Sequence, residues 1–576
     1  MKNIFRISVI TLLLTALIFS MAGCNKDEET EPVGNSLFNE EESAPAAEAP
    51  SEEVKPSEET PVSDTEASEK SEETEQGNES DLVIPLISHE FTERSDGRSV
   101  LYYSKYDLLN LGDMEKEYPE LSEALSERNR EITANAEGDA DSNEEEAKAF
   151  REDTGIEEPF YSRNRAYIKR SDSEIFSFLN SFESYYGGAH GMNGSGGYNY
   201  FTKTGKEVEL TDVIADMDLL RDVLVDRLKT DYPDIDWFDD LNTALAKYEN
   251  EDGYKFSWVL GNKGITFIFN PYELAAYAYG QQFVTIGYDE FPGLFTGKVK
   301  TRDGAYVECF DFYQDVNVFD SAGKVNTLSV ETENDYENGS YLGEYYVTSV
   351  TLKYGDKELK DDESPIPYAY EHELFLVHTE DGKNYVYIEC LSDNDWHSVI
   401  SYELKEDGSI IRLTEANGGF SSYKIMLMEG GWKTALFDPD KFELTTRSDV
   451  LSTVSSTRYY RAGKNGPEPF TDYYTLIYDQ TITSVIPLKA QYLGETDDLS
   501  VDAPEVYGED REVKRLPAGT DFRLWRTDDE SYMDCIVEEN GKKNVYRLIQ
   551  EVDEDYNHTI DGVNIEDCFE ELFFAG

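Results

Sequence analysis

Ser184-Tyr185-Tyr186-Gly187-Gly188-Ala189-His190-Gly191-Met192-Asn193-Gly194-Ser195-Gly196-Gly197-Tyr198-Asn199-Tyr200-Phe201 is the most distinctive stretch of the chain. It reads as a glycine-rich loop with a single histidine between aromatic runs. Thr202 to Leu210 follows as a tight turn into a strand. Upstream, Tyr161 to Ile168 and Glu174 to Tyr186 are rich in Phe, Tyr and Ile and read as strands, as do Val83 to Ile87 and Leu101 to Tyr106. Between these pairs, Asp113 to about Phe150 reads as a long polar helix, with Leu121, Leu125 and Ile132 near helical spacing. Its middle, Ala134 to Glu146, is acidic and almost free of bulky apolar residues, which suggests a loop there.

Downstream, Thr211 is placed as a helix N-cap with Asp212 in the first turn. Val213, Ile214, Leu219, Leu220, Val223, Leu224 and Leu228 then carry an apolar stripe, and the helix stops before Pro233. Asp239 to Asn250 reads as a second, short helix. Lys255 to Leu260 and Gly264 to Phe269 are strands around the turn Gly261–Gly264, and Phe283 to Ile286 closes the unit. Residues 83–300 therefore read as an α+β domain, an antiparallel sheet with helices.

The histidine loop supports two readings. Glycines let backbone N–H groups approach a ligand closely, so the loop can present His190 to a sugar or a carboxylate. Alternatively it is a structural loop in which His190 caps backbone groups. Catalysis needs partners, and only Glu183 is near in sequence. Asn193-Gly194-Ser195-Gly196-Gly197 lacks the first glycine and the strand–elbow–helix context of a hydrolase nucleophile. No Gly-Lys-Ser/Thr ending follows to cradle a phosphate. No catalytic residue, metal or cofactor is expected.

Residues 301–576 are punctuated by strand signals joined by turns such as Glu380-Asp381-Gly382-Lys383, without convincing helices. A mainly-β region follows: residues 301–500 as a sandwich or partial propeller, and 501–576 as a small SH3-like barrel. Asp553-Glu554-Asp555-Tyr556-Asn557 starts like a calcium loop, but His558 holds the obligatory glycine position and Asn564 replaces the terminal Glu. It and Asp393-Asn394-Asp395 read as solvated acidic turns.

Composition narrows the partners. A net charge of -69 argues against nucleic acid. Aromatic content of 13%, from 40 Tyr, 29 Phe and 5 Trp, favours strands. Cys309, Cys390, Cys535 and Cys568 show no Cys-x-x-Cys spacing. They pair as disulfides in an oxidising compartment or stay as buried thiols, the preferred reading for Cys309 and Cys390.

The start of the chain sets the compartment. Lys2 and Arg6 precede an apolar stretch, Ile7 to Phe19, and Met21-Ala22-Gly23-Cys24 closes it. Residues 1–24 resemble a bacterial lipoprotein signal, in which the cysteine becomes the lipidated N-terminus. That resemblance implies attachment through Cys24 to the outer face of the cell membrane. Residues 25–82 are an acidic, Ser- and Pro-rich linker that cannot bury enough surface to offset its ordering entropy.

Tyr185-Tyr186-Gly187-Gly188-Ala189-His190-Gly191, then Tyr198 to Leu210, Asp212-Val213-Ile214, and Phe267 to Gly280 with Asn270-Pro271-Tyr272-Glu273 occur in a characteristic order. Over residues 83–295 the chain resembles the extracytoplasmic domain family of RsiV-type lysozyme-receptor anti-sigma factors, a domain also found beside peptidoglycan deacetylases. The resemblance implies an envelope binding module for lysozyme or peptidoglycan. The contact residues would be Tyr185, Tyr186, Gly187, Gly188, His190, Asn270, Tyr272 and Glu273. A lipoprotein signal in place of a spanning helix argues against sigma-factor control. The alternatives are a cell-wall-modifying hydrolase, whose site would be a deep cleft of convergent Asp, Glu or His, and a structural or sensor lipoprotein subunit.

Overall fold

The computed structural model describes residues 81–250, 254–320, 325–335, 346–392, 396–420, 431–501, 503, 512–552, 558–570 and 572–574. The expected signal with Cys24, nearly all of the expected linker, and the acidic turns at 393–395 and 553–557 lie outside them. The last two linker residues are already fixed: Asp81 pairs with Arg302 at 2.6 Å, and Leu82 bridges to Asp172.

The first sheet contains β1 (Leu86–Ser95), β2 (Val100–Asn110), β3 (Phe160–Ser171), β4 (Ile175–Tyr185), β5 (Met192–Phe201) and β6 (Lys206–Glu207), in that order. Lys433–Thr434 adds a seventh strand on the β1 edge. The pairings are antiparallel except β2 with β3, which is parallel because helix α1 (Pro119–Thr154) crosses over between them. Helix α1 runs through the segment expected to be a loop. Ala134 to Glu146 is helical because the sheet's aromatic rings supply the bulk that the helix lacks. Ala140 and Ala147 are buried against Leu101, Tyr102 and Phe160. Arg128 fastens the same helix, with its guanidinium 4.7 Å from the Phe178 ring and donating to Asn180 at 3.0 Å.

A second sheet, β7 (Ser257–Leu260), β8 (Gly264–Phe269) and β9 (Gln282–Gly287), packs with α2 (Met217–Asp231) and α3 (Leu241–Asn250) around their own core. Thr211 is not an N-cap. Glu209 caps the short helix Leu210–Val213 in a capping box with Asp212, and Asp216 caps α2 by accepting from Leu219 N at 3.0 Å. Ala215 separates the two because it is tied instead to Leu294 O.

The glycine-rich stretch is mostly strand. Gly194 to Gly197 pair with Phe182 to Leu179 inside the β4–β5 ladder. Their glycines serve a close crossing of the two sheets: a Cβ on Gly197 would lie 1.9 Å from the Trp258 carbonyl oxygen of β7. Asn199 clasps the crossing, donating to Trp258 O at 2.9 Å and accepting from Leu260 N at 2.7 Å.

The rest is mainly β. Strand β10 (Tyr306–Phe310) pairs with Ala369–His378 at the edge of a sheet that continues through Asn384–Ser392 and Trp396–Leu404. Val316–Phe319, Val325–Asp335, Tyr346–Tyr354 and Lys357–Asp361 form a four-stranded sheet. A ten-stranded sheet starts at Phe442–Ser448 and takes in Leu488–Glu495, Asp521–Thr527, Tyr532–Glu539 and Phe569–Glu570. It takes strands from both sides of residue 500, where a separate barrel was expected to begin. One apolar core likewise bridges residue 300, joining Val83, Leu109 and Phe178 to Phe375, Phe437 and Tyr460. Cys309, Cys390, Cys535 and Cys568 are free, buried thiols.

Candidate functional site

The ladder of β4 and β5 leaves a short turn at its end, and His190 sits there, exposed. Its Nδ1 lies 2.8 Å from Gly191 O, and its ring stacks on Tyr277 at 4.3 Å. The Tyr277 hydroxyl donates to the same carbonyl at 2.9 Å. Asn270, after β8, reaches back across the sheet crossing. Its Oδ1 accepts from Ser195 N at 2.7 Å and its Nδ2 donates to Ser195 O at 3.1 Å. Glu273 accepts from Asn270 at 3.3 Å and from the Tyr248 hydroxyl at 3.2 Å, and burial pushes its carboxyl pKa up. Tyr272 has φ 71°, in the left-handed region that bulky side chains avoid, and is 47% exposed. The result is a shallow rim carrying His190, Tyr272, Tyr277 and exposed Tyr279 on a frame fixed by Asn270.

His190, Asn270, Tyr272 and Glu273 are therefore brought to one rim. Tyr185 and Tyr186 turn the other way, toward α1 and β3: their rings lie 6.2 Å from Phe160, and Tyr186 stacks on Tyr102 at 6.5 Å. Gly187 holds φ 81° against Phe150, and Gly188 holds φ 108°. These four residues shape the turn. Tyr277, which completes the rim, stands two turns of loop past Tyr272 and gave no chemical signal in the sequence beyond being another tyrosine.

A second concentration of chemistry lies between the first sheet and the strand Ala369–His378. Three of the chain's six histidines, His89, His372 and His397, line one open cleft of about 340 Å³. His89 is its centre. Nδ1 lies 2.6 Å from Asp107 and Nε2 lies 3.2 Å from Glu373, 284 residues away. Arg165 Nη1 lies 2.7 Å from the same Nδ1. That nitrogen holds one proton or one lone pair, so it serves Asp107 as a donor or Arg165 as an acceptor.

Charge balance fixes these groups. Burial alone pushes the Asp107 carboxyl up; His89 and Arg165 outweigh it and hold the pKa below the ordinary value. Burial acts on Glu373 in the same direction, and the paired Lys433 with His89 drives it well below the usual carboxylate range. His372 has no nearby charge to compensate, so burial drops its pKa to about 4, and its Nε2 has no hydrogen-bond partner. His397 Nδ1 lies 2.8 Å from Glu389, and Gly419 closes on that pair so tightly that a Cβ would lie 2.3 Å from Glu389 Oε1. Cys309, also at the cleft, is no nucleophile: it donates to Ala435 O at 3.1 Å and burial pushes its thiol up to about 12. Among the described residues no three His, Cys, Asp or Glu side chains are grouped to hold a metal ion.

None of the cleft residues was singled out in the sequence as a site. Their partners come from β1, β2, β3 and five later segments, those of Cys309, Glu373, Glu389, His397 and Lys433, and no local spacing links them.

The family match falls on the rim rather than the cleft. Residues 211–289, which comprise α2, α3 and β7–β9, match a family described as "Protein of unknown function (DUF3298)". The span lies inside the 83–295 of the expected resemblance and includes Asn270, Tyr272, Glu273 and Tyr277, but not His190. No curated protein matches the chain. Two crystal structures are similar. One is a DUF3298 family member from Bacteroides fragilis NCTC 9343, with 15% identity, 38% of this chain and 96% of that chain covered, and a TM-score of 0.28. The other is a DUF3298 family protein from Pseudomonas aeruginosa PAO1, with 17% identity, the same coverage of 38% and 96%, and a TM-score of 0.26. The chain carries a DUF3298 domain at residues 211–289.

Proposed function

We propose that this is a cell-envelope recognition protein, lipid-anchored through Cys24 on the outer face of the membrane, that binds peptidoglycan or wall-associated lysozyme without catalysis. The observation that carries the reading is the rim. Tyr272, Tyr279 and His190 stand out from a rigid double-sheet crossing, and Tyr272 does so in a strained backbone conformation. Exposed tyrosines on a stiff frame supply contact area at little conformational cost, and such rings stack on sugars or pack on a protein face. The resemblance to the lysozyme-receptor family over the same loops supports the choice of partner. The strongly acidic surface suits a cationic protein such as lysozyme.

The hydrolase alternative has one observation in its favour, the cleft of converging histidines and carboxylates. Its central groups are already occupied by one another, however. His89 lies between Asp107 and Glu373, Lys433 lies on Glu373, and Tyr167 donates to Asp311. The sulfur at hand is a protonated, hydrogen-bonded thiol.

The test is retention of the purified chain on insoluble peptidoglycan and on immobilised lysozyme, at low and high salt. Binding to one of them that weakens at least about tenfold in Tyr272→Ser or His190→Ala supports the reading. Salt-sensitive retention identifies lysozyme, and salt-tolerant retention identifies the glycan. No retention on either at low salt sinks it.

A further inference from the structure

The cleft around His89 leaves one edge of Arg165 open and the Glu371 carboxylate without a partner among the described residues. Arg165 is 45% exposed and engages His89 and Asp107 through Nη1 alone. Its Nε and Nη2 donate to no described protein atom, which leaves one edge of the planar fork open. Glu371, on the strand Ala369–His378, is exposed, and its carboxylate accepts no hydrogen bond from a described residue. It is near enough to add to the field on Arg165 and on Lys433, yet it pairs with neither. Of the other carboxylates lining the cleft, Asp107 and Glu373 are neutralised by His89, Arg165 and Lys433, Glu183 faces Arg163, Glu389 faces His397, and Asp311 accepts from Tyr167. His372 Nε2 adds a buried polar atom with no partner.

A simple anion at Arg165 would meet repulsion from Glu371, and a simple cation at Glu371 would meet repulsion from Arg165 and Lys433. A molecule carrying both charges satisfies both walls. The volume of about 340 Å³ holds roughly ten waters at about 30 Å³ each, room for two amino-acid residues. We infer that this cleft is a binding site for a short zwitterionic peptide, with its free carboxylate on the open edge of Arg165 and its free ammonium on Glu371. Partial enclosure between two sheets strengthens both contacts relative to open water. The inference does not depend on the rim or on what the rim binds.

Calorimetric titration of the full chain with alanyl-alanine, N-acetyl-alanyl-alanine and alanyl-alanine amide, at low salt, tests it. Saturable binding of the free dipeptide with a Kd of about 1 mM or tighter is expected, and blocking either end weakens it at least tenfold. Arg165→Gln abolishes the penalty for amidation and Glu371→Gln abolishes the penalty for acetylation. Both residues are exposed, and a single cooperative urea transition verifies that each variant is folded. Tyr272→Ser at the rim leaves dipeptide binding unchanged. Equal binding of the three probes, or no saturable heat up to about 10 mM, overturns the proposal.

Discussion

The rim at His190 and the cleft at His89 are both polar sites beside the first sheet, but they are assembled in opposite ways. The rim joins β5 and the turn before it to the loop after β8, and its longest clasp, Tyr277 to Gly191 O, spans 86 residues. Its shape follows from backbone chemistry: glycines where two sheets cross, and asparagines that bond to main chain. The cleft joins β1, β2 and β3 to strands beyond residue 369, and its central contact spans 284 residues. Its shape follows from side-chain charges that balance one another only after the sheets have met. The rim's main clasp is an amide side chain that does not titrate, whereas the cleft's central contacts depend on protonation.

The sharpest way to break the first half of that comparison is Gly197→Ala. The added methyl would lie 1.9 Å from Trp258 O, so the two sheets must part. A loss of about 3 kcal/mol, or failure to fold, is expected in urea denaturation. A loss under about 1 kcal/mol would mean that the crossing carries little of the fold. Asn270→Ala is milder. It leaves the buried Ser195 N–H without its acceptor, which costs about 2 kcal/mol. Hydrogen exchange at Ser195 should accelerate while amides of β1 and β2 stay protected; uniform acceleration would show that Asn270 holds more than the rim.

Lys433→Met probes the second half. Glu373 and Lys433 are 30% and 18% exposed, so solvent screening limits the loss to about 1–2 kcal/mol at pH 7. The pH dependence is more telling. The Glu373 carboxyl is depressed in the folded protein below its ordinary 4.5, so its contribution is present above that value and is lost as pH falls through the folded value. The variant lacks most of that depression. Urea stabilities of the two proteins should therefore converge as pH drops from about 5 to about 2. A gap that stays constant over that range would show that Lys433 acts by packing and not by charge.

The same contrast explains what could be read from the chain. The α+β character of the first part and the β-rich remainder were legible because strand alternation and apolar spacing are local. The order of the segments placed Asn270 and the glycine stretch in one domain, but their contact is seen only in the structure. Gly194 to Gly197 were misread as loop because glycine carries no face: the sequence shows the missing side chain but not the Trp258 carbonyl that requires it. Ala134 to Glu146 looked like a loop because its apolar face is made of alanines, whose partners Tyr102 and Phe160 are on the sheet. The cleft was invisible. His89 lies in Ser88-His89-Glu90, an ordinary strand alternation, and nothing in that tripeptide points to Glu373 or Lys433.

The smallest effect is the most informative about the rim. Tyr272 sits at φ 71°, a conformation that costs a bulky residue about 1 kcal/mol or more and a glycine almost nothing. The turn around it is fixed by Tyr272 N to Ala275 O at 3.1 Å and Glu273 N to Asn270 O at 3.0 Å, so the backbone cannot relax alone. The exposed ring packs on Tyr277 at 5.6 Å, a contact too small to offset the strain by itself. Tyr272→Gly should then stabilise the protein slightly, by up to about 1 kcal/mol, after the greater chain entropy of glycine in the unfolded state is subtracted. It should also weaken retention on the wall ligand. A more stable protein that binds less well is the signature of strain kept for contact. If Tyr272→Gly instead destabilises the chain and leaves binding intact, the ring is holding Tyr277 and His190 in place, and the rim is a structural corner.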